Sequence, residues 1–262
     1  MSLISLTTDF GSFYPAFMKA VILRINPDAR IVDVTHTVSH ADIRAGAFAI
    51  YSIVPYFSQD SIHVGVVDPG VGTSRRSIVI DAQGVLFVGP DNGLLIPAAK
   101  RIAGQDLRVY EIKNKKFMLE VSATFHGRDI FAPVSAHLSC GASADEVGER
   151  VYDWVDLDFK QPLIQDSSVS GEVIFVDDFG NIVSNIPYSM ISQITDFGSE
   201  VIVYNRKIPF CRTYGRVDEG NMIALIGSHG FAEIAINQGN AAKKLGISSG
   251  DRMIIEACND TD

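Results

Sequence analysis

Three kinds of side chain able to work on a water molecule stand where apolar runs stop. Asp68 follows Val64, Val66 and Val67 and opens the loop Asp68-Pro69-Gly70-Val71-Gly72-Thr73, with Arg75 and Arg76 before the next apolar run, Ser77-Ile78-Val79-Ile80. Asp9 ends the run Ile4-Ser5-Leu6-Thr7-Thr8, and His126 precedes a helical pattern that starts near Ile130. A carboxylate, a guanidinium and an imidazole brought together can hold and polarise a water. The acid and the ring accept its proton, and the cation fixes geometry and stabilises negative charge. Each group also has a plain structural reading: Asp68 as a turn residue paired with an arginine, His126 as a helix cap. Spacing alone leaves both readings open.

A second group lies late in the chain. Asp177, Phe179 and Asn181 share one turn, and Gly227-Ser228-His229-Gly230 forms another. An aromatic face beside an amide and a carboxylate suits a flat heterocycle with an ammonium group. Asp, Asn and Gly also dominate ordinary turns. The six histidines offer no convincing metal set: His36 and His40 are four apart but in a polar loop, while His63 and His137 fall in apolar runs.

These groups need elements to position them. Residues 2–8 form an apolar strand. Phe17, Met18, Val21, Ile22 and Ile25 recur at helical spacing until Asn26-Pro27. A short strand over 31–34, a buried helix over 42–57 and the strand 62–67 follow, giving a β-α-β-α-β order that implies a parallel sheet with helices on its faces. Ligands gather at the carboxyl ends of such strands, where Asp9 and Asp68 stand. Strands at 77–80 and 85–88 are joined by Asp81-Ala82-Gln83-Gly84 as a hairpin, and Gly89-Pro90-Asp91-Asn92-Gly93 is another strand-ending turn. A strand over 107–112 and a helix over 130–138 complete an α/β domain, 1–154.

Residues 155–170 mix acidic residues, Gln, Pro and Ser without periodicity and are expected to be a linker. Beyond them, over 171–262, short apolar runs separated by turn residues suggest a smaller all-β, barrel-like domain, with one helical segment over 240–245.

The 262 residues suffice for two cores, and no apolar run reaches the ~18–20 residues of a membrane span. A formal charge of −9 argues against a nucleic-acid surface. Cys140, Cys211 and Cys258 lie far apart without a CxxC, and the N-terminus lacks a basic signal region, so a reducing cytoplasm is expected. Two DFG tripeptides, at 9–11 and 178–180, come without a VAIK or HRD, which excludes a kinase; the glycines at 70 and 72 do not complete GxGxxG.

Taken in order, TTDFG, DPGVGTSRR, GPDNG, TFHGRD, VDDFGN and GSHGFAEIAINQG resemble the S-adenosyl-L-methionine (SAM) hydrolases that form adenosine, also called SAM hydroxide adenosyltransferases, relatives of the fluorinases and chlorinases. The resemblance implies hydrolysis of SAM to adenosine and L-methionine, with no metal and no cofactor beyond SAM as substrate. It implies a homotrimer whose active sites lie between the N-terminal domain of one subunit and the C-terminal domain of the next. The water-activating trio falls on Asp68, Arg75 and His126, with Arg76 the neighbouring alternative. Asp9 matches the ribose-binding carboxylate and Asp177 the one for the methionine ammonium. Phe179 and Asn181 fall on the adenine-binding turn, Ser228 on the methionine carboxylate contact, and the backbone of Ile236 to Gln238 on the adenine edge. Two departures stand out: a short aromatic Ser12-Phe13-Tyr14-Pro15 loop, and His229 where the halogenases carry an arginine. Halogenases lack the Asp of DPGVG and carry a long insertion after the following strand, so Asp68 and the short 81–84 connection favour water over halide. A non-catalytic SAM or adenosine sensor is the alternative from another class.

Overall fold

The computed structural model describes residues 3–157, 159 and 161–258. The chain divides into two units, Met1–Asp158 and Phe159–Asp262.

In the first unit β1 (Leu3–Thr8), α1 (Pro15–Ile25), β2 (Arg30–Thr35), α2 (Ile43–Ile53) and β3 (Ile62–Val66) follow one another as two strand-helix-strand crossovers. β4 (Ser77–Ala82), β5 (Val85–Pro90), α3 (Ile96–Ala103), β6 (Arg108–Glu111), α4 (Ala132–Ser139) and β7 (Arg150–Val151) complete it. The strands form one mixed sheet in the order β2-β1-β3-β5-β4-β6-β7. It is parallel from β2 through β5, with helical crossovers among β1, β2 and β3, and with β4 lying in the connection from β3 to β5; it is antiparallel from β5 through β7. The β4–β5 hairpin closes on Gln83 and Gly84, both at positive φ (55° and 96°), the conformation of a tight two-residue turn.

Side chains alternate across the sheet. Ile4 and Leu6 of β1 and Ile62, Val64 and Val66 of β3 face α1 and α4, where Met18, Ile22, Phe131 and Val134 fill the core. The opposite face meets α2 so closely that a Cβ on Gly65 would strike Ile50 and Leu95, and one on Gly46 would strike Leu94 and Val67. Helix α3 was not foreseen from the sequence.

In the second unit β8 (Leu163–Gln165), β9 (Ser168–Val176), β10 (Ile182–Pro187), α5 (Tyr188–Ile191), β11 (Glu200–Val203), β12 (Arg206–Pro209), β13 (Met222–Ile226), β14 (Phe231–Ile236), α6 (Ala241–Leu245) and β15 (Arg252–Ala257) follow in order. The sheet runs β12-β11-β15-β9-β10-β14-β13, antiparallel throughout, with β8 on β9. A bridge from Phe210, just past β12, to Ala224 of β13 brings the two edges together, so the sheet is nearly a barrel. Val173, Ile182, Val201, Phe210, Ile234 and Met253 pack inside it. Strand β8 lies within the stretch expected as linker. Leu163 and Ile164 are exposed, and backbone pairing at an edge needs no apolar periodicity to form.

Candidate active site

Strand β3 ends in a loop whose shape is imposed by backbone contacts. Asn92 Nδ2 donates to the Val67 carbonyl at 2.9 Å, tying the second strand-ending turn to the residue before Asp68. Gly72, at φ 76°, lies where a Cβ would collide with the Ala123 carbonyl, and a Cβ on Gly127 would press on the Phe10 ring. The loops after β1, after β3 and before His126 therefore converge, and glycine is what lets them approach.

At the convergence Arg75 is a hub. Its Nε donates to Asp68 Oδ1 at 3.1 Å and its Nη2 donates to Asp68 Oδ2. Nη2 also donates to His126 Nδ1 at 3.0 Å. Nη1 donates to the Arg76 carbonyl and to Ser77 Oγ, both at 2.9 Å. A guanidinium has five N–H groups, and all five are used. The ion pair is shielded, the Arg75 and Asp68 side chains being 8% and 4% exposed. Because Nδ1 accepts from Arg75, the proton of a neutral His126 ring sits on Nε2. Burial, then the Arg75 charge, pushes the His126 pKa below its ordinary value; Asp68, Asp129 and a hydrogen bond to the Ser122 backbone oppose the shift. The ring is thus held neutral to lower pH than a free histidine.

Arg76, the neighbouring alternative, points elsewhere: Nε donates to buried Asp91 at 2.9 Å and Nη1 to Asp153 at 3.0 Å. Asp9 is nearly covered, and its Oδ2 accepts from the Ala41 backbone at 3.0 Å with His40 Nδ1 at 3.4 Å. Among the described residues no group of three or more His, Cys, Asp or Glu side chains is arranged to hold a metal.

The second unit carries a cavity of about 630 Å³ lined by Asp177, Phe179, Asn181, Tyr214, Ile236 and Asn237 to Asn240. Its acidic corner is built by its own turn: Asp177 Oδ1 accepts from the backbone of Phe179 (2.9 Å) and Asn181 (2.8 Å), and Oδ2 from Asn181 Nδ2 (2.9 Å). Gly180, at φ 83°, leaves room for the Asn240 side chain. Phe179 is 78% exposed, an aromatic face standing open at the rim. Tyr214 donates its hydroxyl to buried Glu233 at 2.6 Å, and burial together with that bond raises its pKa.

Residues 4–148 match the pattern described as the SAM hydroxide adenosyltransferase N-terminal domain, and residues 171–254 match the corresponding C-terminal domain. A Salinispora arenicola protein named (R)-S-adenosyl-L-methionine hydrolase is 38% identical over 97% of each chain. The chain belongs to the SAM hydroxide adenosyltransferase family. A crystal structure described as an uncharacterized conserved protein from Thermotoga maritima superposes with a TM-score of 0.89 at 38% identity, covering 96% of this chain and 99% of that one. A Nocardia brasiliensis fluorinase is more distant, 26% identical over 88% of each chain.

In this member of the family the structure brings Asp68, Arg75 and His126 into one hydrogen-bonded set. Asp9 stands on the adjoining loop with partners of its own. Asp177, Phe179, Asn181, Ile236 and Gln238 line one cavity, whereas Ser228 is exposed on the β13–β14 turn and is not part of the lining. Sequence reasoning missed Tyr214, Gly239 and Asn240 in the cavity, and Ser77 on Arg75. Tyr214 sits in a loop with no period to betray it; an aromatic next to Gly215 was the only signal.

Proposed function

We propose that this protein hydrolyses SAM to adenosine and L-methionine, a water held on Asp68 attacking the ribose C5′ carbon. The carrying observation is the saturation of Arg75, whose five N–H groups all have protein partners. The guanidinium then has no donor left for a nucleophile, while the Asp68 carboxylate, which can accept about four hydrogen bonds, still has capacity. Asp68 is the base, Arg75 the group that aims it, and His126 the acceptor that fixes Arg75.

In the proposed step the water oxygen forms a bond to C5′ as the C5′–S bond breaks. The bonding pair goes to sulfur, turning the sulfonium into the neutral thioether of methionine, and the water's proton passes to Asp68 and on to solvent. A sulfonium leaves without protonation, so the step asks for no general acid, metal or further cofactor. What it asks for is alignment, and a near-attack pose can supply ~7–11 kcal/mol. In this reading Asp9 holds the ribose hydroxyls. Phe179, Asn181 and the backbone of Ile236 and Gln238 hold the adenine. Asp177 takes the methionine ammonium, and Ser228 its carboxylate. Residues 1–154 supply the chemistry and 171–262 the binding wall, paired across subunits of a cytoplasmic homotrimer.

The relatives named as SAM hydrolases support water over halide, as does the two-residue β4–β5 turn, where the halogenase resemblance calls for a long insertion. Incubating the pure protein with SAM, with and without chelator and chloride, tests the reading. Adenosine and methionine in equal amounts, independent of both additions, are expected. Binding without turnover identifies a sensor, and a chlorinated nucleoside a halogenase; either overturns the proposal.

A further inference from the structure

His126 is delivered by an unusual piece of backbone. The chain after it runs through one turn of π-helix, Gly127–Phe131, before α4 begins, and such turns are rare and concentrated at functional sites. Inside that turn sits Asp129, whose side chain is 1% exposed. Its Oδ2 accepts from the Ser122 backbone N–H at 2.9 Å and from Ser122 Oγ at 2.6 Å. Its Oδ1 accepts from Arg128 Nε at 2.6 Å. The Asp129 carbonyl accepts from Leu119 N–H at 2.9 Å. One residue thus ties Leu119 and Ser122 of the 119–126 loop.

The loop in turn fixes the backbone that delivers the ring. Ser122 Oγ accepts from the Phe125 N–H at 3.2 Å, and the Phe125 carbonyl accepts from the Asp129 N–H at 3.1 Å, so the residue before His126 is held on both sides. Arg75 Nη2, donating to Nδ1 at 3.0 Å, leaves the proton of a neutral ring on Nε2. The connection is continuous: Asp129 fixes Ser122 and Phe125, these fix the backbone that carries His126, and His126 offers Nδ1 to the guanidinium that aims Asp68.

We propose that Asp129 is a positioning residue for the Asp68–Arg75–His126 set, acting through Ser122 and Phe125 to hold the backbone that orients His126. The proposal deepens the hydrolase reading and rests on it only for its kinetic half. Asp129 itself faces no nucleophile, since its carboxylate is buried and its partners are Ser122 and Arg128.

The charged groups facing His126 are Arg75, Asp68 and Asp129. Arg75 opposes protonation and the two carboxylates favour it, so removing the Asp129 charge lowers the His126 pKa further. The Asp129→Asn variant keeps the shape and removes the charge; Ser122→Ala removes the hydroxyl's bonds to Asp129 and to the Phe125 N–H. The His126 ring proton, assigned by its absence in a His126→Gln variant, is titrated by NMR in each. A lower midpoint in Asp129→Asn, and a smaller fall in Ser122→Ala, is expected. For SAM turnover, kcat should drop roughly 10- to 100-fold with KM little changed, the signature of a misaligned site. An unmoved His126 midpoint in folded Asp129→Asn overturns the proposal even if activity falls. If Asp129→Asn does not fold, Ser122→Ala decides by the same titration. If the wild type does not hydrolyse SAM, the functional reading fails while the titration still decides the positioning role.

Discussion

At the residue scale the molecule turns on how many hydrogen bonds one guanidinium can make. Arg75 satisfies two carboxylate oxygens, a ring nitrogen, a carbonyl and a hydroxyl, and only a planar five-donor fork does all of these at once. Arg75→Lys offers three donors from one point and leaves at least two of these acceptors without their partner. Turnover in that variant is expected to fall by roughly 100-fold with the charge preserved, measured as adenosine released per enzyme. Asp68→Asn removes the proposed base and turns an NH₂ toward the arginine. A loss of at least about 100-fold is expected, with adenosine binding, followed by calorimetry, retained. Full activity in that variant would move the base elsewhere. Much of this was legible in advance through the resemblance: DPGVGTSRR and TFHGRD carry Asp68, Arg75 and His126, whereas each residue by itself reads equally well as a turn or a cap. Asp129 was not, because an Asp in a helix's first turn is ordinary and only coordinates reveal that it reaches back to Ser122. Nor could spacing choose between Arg75 and Arg76; the carboxylates of Asp91 and Asp153 made that choice.

At the element scale the parallel half of the first sheet carries a polar group at its centre. His63 of β3 is fully buried, its Nδ1 2.7 Å from Ser5 Oγ on β1 and its Nε2 2.9 Å from Ser61 Oγ, with Phe87 stacked on the ring. Burial pushes its pKa down to about 4. The unfolded chain, near 6.5, therefore binds the proton more readily than the folded one. The contribution of a neutral His63 is complete above pH 6.5 and is lost as pH falls towards 4, about 3 kcal/mol in all. Urea unfolding at pH 7.5 and 4.5 should show this loss, and the pH dependence should shrink in His63→Gln. An identical dependence in both proteins would assign the loss to other groups. The strands and most helices were readable from apolar period, since each buries one face. Helix α3 was not: Pro97 in its first turn and Gly104 after its end are proper boundary signals, but eight residues, three of them alanine, carry too little periodicity to stand out. Strand β8 was missed for the opposite reason, being exposed and held by backbone bonds alone.

At the scale of the whole molecule, the change from strand-helix alternation to short strands near residue 160 foretold two kinds of architecture, and the chain has both. The groups proposed for catalysis belong to the first unit and those lining the aromatic cavity to the second. If each working site draws these from different subunits of a trimer, two inactive proteins should cure one another. Asp68→Asn spoils the first unit and Asp177→Asn the second. Unfolding and refolding them together should restore SAM hydrolysis, read as adenosine formation, whereas unmixed samples stay inactive. No recovery in assemblies shown by mass to be mixed would place each site within one chain.

The hairpin turn at Gln83 and Gly84 bears on how such a family diversifies. The ladder between β4 and β5 is fully paired up to Ala82 and Val85, so extra residues spliced in at the tip would loop outward without disturbing register. The entropic penalty of a longer loop grows slowly, about 0.6 kcal/mol per doubling. Length can therefore change at this tip while the scaffold that carries Asp68 and Arg75 keeps its register.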